Sequence, residues 1–115
     1  MNKTVFFAFR GDPMCFIHVL LNAIDMVEKD MEAKIIIEGD AVKLIPEMAK
    51  PGHFLNQLYN KVRAKNLLIG ACRACSTKLG VAAAIEEEGV DLIGDMSGHP
   101  AISDYIEQGY TILTF

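Results

Sequence analysis

The chain has 115 residues, 51% of them apolar, and a formal charge of −4. That length suits one domain with a core of its own, over residues 1–115. An acidic balance without a Lys/Arg cluster excludes the electrostatic footprint of a nucleic-acid binder and argues against a membrane surface. The opening "MNKTVFFAFRGDP" has too short an apolar run for a signal peptide, and no stretch approaches 18 uninterrupted apolar residues, so a cytoplasmic protein is expected. Three cysteines, an odd number, do not read as a disulfide framework; they point to thiol chemistry or to packing.

In chain order, "TVFFAF" (4–9) is the first expected strand. Asp12 followed by Pro13 is an N-cap with a first-turn proline and opens a helix over about residues 13–30. Phe16, Ile17, Leu20, Leu21, Ile24 and Val27 form one stripe of that helix, and Val19, Ala23 and Met26 widen it. Only the arc of His18, Asn22, Asp25 and Lys29 is clearly polar, so the surplus apolar face predicts either a subunit interface or a cover formed by residues 40–53. "AKIIIE" (33–38) is the second strand, and the Pro/Gly-interrupted segment 39–53 reads as a short helix and a loop. Phe54, Leu55, Leu58, Tyr59 and Val62 mark a second helical stripe. "NLLIGA" (66–71) is the third strand, the acidic run 86–88 a solvated helix face, and "VDLIG" (90–94) the fourth strand. A short helix begins near Pro100 and stops at Gly109, before the last strand "YTILTF" (110–115). Most of these strands are continuously apolar rather than alternating, as in a parallel sheet covered on both faces. The alternation predicts a three-layer α/β domain with a five-stranded, mainly parallel sheet.

Ligands of open parallel sheets bind beyond the carboxyl ends of the strands. That rule gathers Arg10, Asp12 and Cys15 after the first strand, Glu38 after the second, Cys72 and Cys75 after the third, and Asp95, Ser97 and His99 after the fourth. At a strand-to-helix junction, free backbone N–H groups favour a thiolate at Cys72, with Arg73 and Lys78 adding positive charge; a lowered thiol pKa is expected. Cys75 falls on roughly the same helix face, within disulfide reach, and is a candidate resolving thiol. His99 is placed to act as acid or base, and Cys15 with His18 one turn on is a weaker thiol or metal face. Each of these side chains also has a purely structural reading, as a small packed hydrophobe, a cap or a turn residue.

Four chemistries compete. Thioredoxin-like exchange lacks the proline between the cysteines and a cis-proline loop. A zinc site needs more ligands than one C-x-x-C supplies, unless Cys15 and a histidine join it. A nucleotide or flavin site lacks the glycine pattern after the first strand, where "RGDPM" has one glycine. Sulfur transfer needs one reactive cysteine and no cofactor.

With Cys72 followed eight residues later by Gly80-Val81 in "ACRACSTKLGV", and with the closing "GYTILTF", the whole chain resembles the DsrE/DsrF family of small α/β proteins. The resemblance implies a flavodoxin-like three-layer fold, homotrimers or homohexamers, sulfur donor and acceptor proteins as partners, and Cys72 as the persulfide-forming residue. The sequence departs from the sulfur-relay members at Leu79, where they carry arginine, and in having Cys75 at all. Segments "MCFIHVLLNA" and "GDMSGHPAISDYIEQGY" look closer to a subgroup without assigned activity, in which a structural, non-catalytic role is the alternative.

Overall fold

The computed structural model describes residues 2–115. Strands β1 (Lys3–Ala8), β2 (Glu32–Ile37), β3 (Leu68–Cys72), β4 (Leu92–Ile93) and β5 (Thr111–Thr114) alternate with helices α1 (Pro13–Glu28), α2 (Leu44–Met48), α3 (Asn56–Ala64), α4 (Arg73–Lys78), α5 (Ala82–Glu87) and α6 (Ile102–Glu107). All strand pairs are parallel, in the spatial order β4-β3-β2-β1-β5. The predicted α/β class and five-stranded sheet are therefore present, in an order that differs from the 2-1-3-4-5 of flavodoxin itself.

The strand order dictates the layers. From β1 to β4 each crossover steps one strand outward in the same direction, so crossovers of one hand put α1 to α5 on one face. The return from β4 to β5 spans the sheet in the opposite direction and puts α6 on the other. The two cores follow this division. Phe6, Ala8, Ile35 and Ile37 meet Phe16 and Leu20 of α1 in the large cluster, whereas Val5, Phe7 and Ile36 meet Tyr105 and Ile102 in a small one. Alternating side chains of β1 and β2 thus feed opposite faces, and both faces are apolar, which is why those strands read as unbroken apolar runs.

The extended apolar face of α1 is covered mainly by the sheet and by α3, which leaves Met14 and Leu21 exposed. Residues 40–53 do not form the cover. A 3₁₀ turn at Gly39–Lys43 and α2 pack instead against α4 and α5, and they bury Ala41, Val42, Leu44, Ile45 and Met48. The predicted second stripe loses Phe54, which is exposed one residue before the Leu55 cap of α3. The predicted fourth strand shrinks to two residues. β4 approaches so closely that a Cβ on Gly70 of β3 would stand 2.6 Å from Ile93 Cδ1. Among the described residues, no helix is long and apolar enough to cross a membrane.

Candidate functional site

β3 ends at Cys72 and α4 begins at Arg73, so Cys72 is the capping residue of that helix. Its sulfur replaces the usual capping oxygen: Cys75 N–H donates to Cys72 Sγ at 3.4 Å. Ser76, fully buried one turn on, donates its hydroxyl to the Cys72 carbonyl at 2.7 Å. The N–H of Ala74 donates to the Gly98 carbonyl at 2.8 Å. These bonds fix the backbone around the thiol and use donors that an isolated helix terminus would leave free.

Gly98 belongs to a two-residue hairpin. Met96 and His99 exchange backbone hydrogen bonds of 2.9 Å in both directions, and Ser97 and Gly98 between them have φ of +51° and +90°. Positive φ at both central positions is the pattern of a type I′ turn. The hairpin leans on the first turn of α4, where a Cβ at position 98 would lie 3.1 Å from Ala74 Cβ. It thereby delivers His99: Nδ1 stands 3.1 Å from Cys72 Sγ and 4.0 Å from Cys75 Sγ. The Cys72 thiol also lies 3.7 Å from the Gly98 carbonyl, to which it donates weakly. One ligand atom each from Cys72, Cys75 and His99 lies within 4.8 Å of the others, a grouping that can hold a metal ion.

Beside this group is a mostly apolar cleft of about 420 Å³, lined by Phe9, Met96 and Ile102 together with Glu38 and His99. Glu38, the residue that follows β2, is only 7% exposed. Burial raises its pKa, and the nearby charge of a protonated His99 opposes the rise. A larger hollow of about 940 Å³ runs along β4 past Arg73, Asp91 and Asp95, and contains neither thiol nor imidazole. Of the two, the smaller cleft is the one that the His99 imidazole lines.

The expectation of a lowered thiol pKa at Cys72 is overturned. Cys72 is fully buried, and burial, reinforced by hydrogen bonding to the Cys75 thiol and by the Glu38 charge, pushes it up to about 11; only the Cys75 backbone N–H pulls the other way. The expected cations do not help. Arg73 turns toward β4 and donates to the Leu92 carbonyl at 3.0 Å, and Lys78 is exposed in the last turn of α4.

The remaining predicted residues separate from the thiols. Arg10 and Asp12 line another cleft with Asp40 and Lys43, and Asp12 caps α1 by accepting from Met14 N–H at 2.8 Å. Cys15 is half-buried in the first turn of α1, outside the Cys72 group, and His18 is exposed. Ser97 contributes turn geometry rather than a side chain in the cluster. His53, at the end of the segment expected to be loop, accepts from Leu55 N–H at 3.1 Å and so orders the approach to α3. What the sequence reading missed is Gly98, for which the Ser-Gly pair before His99 was the available turn signal.

The sequence profile of the DsrE/DsrF-like family matches residues 3–115. The chain belongs to the DsrE/DsrF-like family. An uncharacterized protein of Methanocaldococcus jannaschii is 32% identical over 96 residues, which span 84% of this chain and 76% of that protein. An uncharacterized protein of Archaeoglobus fulgidus is 37% identical over 58 residues, half of this chain and 93% of its own length. In three dimensions this DsrE/DsrF-like chain is similar to a conserved protein of unknown function from Bacteroides thetaiotaomicron. The TM-score is 0.72 at 19% identity, over 98% of this chain and 95% of that one, a likeness of fold.

Proposed function

We propose that this DsrE/DsrF-like protein carries sulfane sulfur as a persulfide on Cys72, between thiol-bearing donor and acceptor proteins. The observation that supports the reading is the 3.1 Å contact between Cys72 Sγ and His99 Nδ1. A buried thiol that holds its proton tightly needs a base within reach, and His99 is that base. Proton transfer to Nδ1 gives a thiolate–imidazolium pair, and the thiolate attacks the outer sulfur of a donor persulfide, R–S–SH. The S–S bond of the donor breaks, Cys72–S–SH forms, and the leaving RS⁻ takes the proton from His99. An acceptor thiolate then attacks the outer sulfur of Cys72–S–SH and regenerates the Cys72 thiolate. In a second exit, Cys75 thiolate attacks the inner sulfur, expels HS⁻ and leaves a Cys72–Cys75 disulfide, which an external dithiol must reduce. Arg10, Asp12, Glu38, Arg73 and Ser97 are kept as binding residues of this proposal, and none of them takes part in the sulfur steps.

The test is intact mass measurement of reduced protein after incubation with a persulfide donor. One added sulfur atom is expected in the wild type and in Cys75→Ser, and none in Cys72→Ser. No added sulfur, or an equal gain in Cys72→Ser, sinks the proposal. We also propose that the protein assembles with copies of itself as a homotrimer or homohexamer, supported by the exposed apolar Met14 (64%) and Leu21 (46%) on α1. Should sulfur uptake fail, that assembly is the second reading: a structural subunit of the same fold.

A further inference from the structure

Two thiols from one helix turn and an imidazole from a separate hairpin converge on a small volume. Nδ1 of His99 is turned toward both sulfurs, at 3.1 and 4.0 Å. Around a tetrahedral zinc ion, bond lengths of about 2.3 Å to sulfur and 2.0–2.1 Å to nitrogen place such donors about 3.6 Å apart. The two sulfur–nitrogen distances bracket that value and all three donor atoms lie within 4.8 Å of one another, so side-chain adjustment at half-buried Cys75 and His99 brings them to one ion. Cys72 already accepts the Cys75 N–H, a hydrogen bond that supports a metal-bound thiolate by stabilising its charge. Electrostatics points the same way. A thiolate at the depth of Cys72 has no countercharge from Arg73 or Lys78, whereas a dication with two thiolates is neutral as a unit.

We propose that Cys72 Sγ, Cys75 Sγ and His99 Nδ1 form a three-ligand site for a thiophilic divalent cation of the zinc class. Two sulfur donors and one imidazole select such an ion over calcium or magnesium, which require oxygen ligands. His99 also lines the cleft that holds Glu38. The fourth coordination position belongs on that side, where water or a small anionic ligand can enter. Binding displaces two thiol protons to solvent. Cys15, outside the cluster, takes no part. This inference goes beyond sulfur carriage and does not depend on it. A bound ion occupies both thiolates, so metal-loaded protein does not take up sulfur.

The experiment uses the full chain, reduced and stripped with a chelator. Zn²⁺ is titrated against a chromophoric chelator at neutral pH, and Co²⁺ is added separately as a spectroscopic probe. One ion per chain is expected, with the visible bands of tetrahedral cobalt and a thiolate-to-cobalt charge-transfer band. Affinity should fall at least about tenfold in Cys75→Ala and in His99→Ala, and remain unchanged in Cys15→Ser. The two weakened variants are chosen because Cys75 and His99 are half-exposed, and circular dichroism verifies that each is folded. No uptake, octahedral cobalt without a thiolate band, or wild-type affinity in folded Cys75→Ala overturns the inference. Persulfide formation is scored separately on metal-free protein, so failure of one reading is distinguishable from failure of the other.

Discussion

Gly98 combines a φ of +90° with a carbonyl that accepts from Ala74 N–H and lies 3.7 Å from the Cys72 thiol. Replacing it by alanine forces an L side chain into the left-handed region and presses Cβ on Ala74. Gly98→Ala should cost about 1–3 kcal/mol in urea unfolding. Because the hairpin covers a thiol with no exposed surface, the same variant should also speed iodoacetamide labelling of Cys72. Labelling as slow as in the wild type would show that the hairpin is not the cover. The site residues were readable from sequence to different depths for a physical reason. Cys72 and Cys75 are three apart on one helix turn, and local geometry alone joins them. His99 reaches them only through a turn whose shape depends on Ser97 and Gly98, so sequence could place it on the correct edge of the sheet but not against the sulfur. A strand-to-helix junction reveals a dipole and hides depth, and at Cys72 burial outweighs one N–H donor.

At the level of elements, α3 and α5 are tied by a polar group the pattern of charges did not reveal. The run 86–88 reads as solvated, yet Glu88 Oε1 accepts from Tyr59 O–H at 3.0 Å. The same hydroxyl accepts from Arg63 Nη1 at 2.8 Å, and Arg63 Nη2 donates to the Glu88 carbonyl at 2.7 Å. Tyr59 is 2% exposed, and burial together with the Glu88 hydrogen bond pushes its phenol up to about 12. In the unfolded chain the phenol titrates near 10, so the folded state holds the proton more tightly. Its contribution is complete below pH 10 and is lost as pH rises through about 12, amounting to at most about 2–3 kcal/mol. Tyr59→Phe should lose about 1 kcal/mol at pH 8 through the missing hydrogen bonds and show a shallower decline between pH 10 and 12. Denaturant titrations of both proteins across that range check it; parallel declines would refute the assignment. Elsewhere, elements were legible where one physical signal dominated. Asp12-Pro13 marked the start of α1 correctly, and buried β1 and β2 declared themselves by continuous apolar runs. The short helix expected within 39–53 is present as a 3₁₀ turn and the five-residue α2, too short to carry a period that would fix their bounds.

For the molecule as a whole, one face of the sheet carries five helices and the other carries α6 alone, whose Ile106 is 60% exposed. Apolar side chains also remain uncovered on α1. Light scattering at micromolar concentration should therefore find a trimer or hexamer. Leu21→Glu, a surface change within about 0.5 kcal/mol of neutral for the isolated fold, should reduce the assembled mass if α1 lies at the contact. A monomeric wild type would rule the assembly out. The return of β5 to the far edge of the sheet, beside β1, has another consequence. Thr4 pairs with Thr111, nearly the full length of the chain apart, while β1 to β4 are joined by shorter crossovers. During synthesis β1 to β3 leave the ribosome well before residues 111–114 do. Until then β1, apolar on both faces, presents an open hydrogen-bonding edge. The nascent chain is most exposed to misassociation in that interval, and its final strand is the one that closes it.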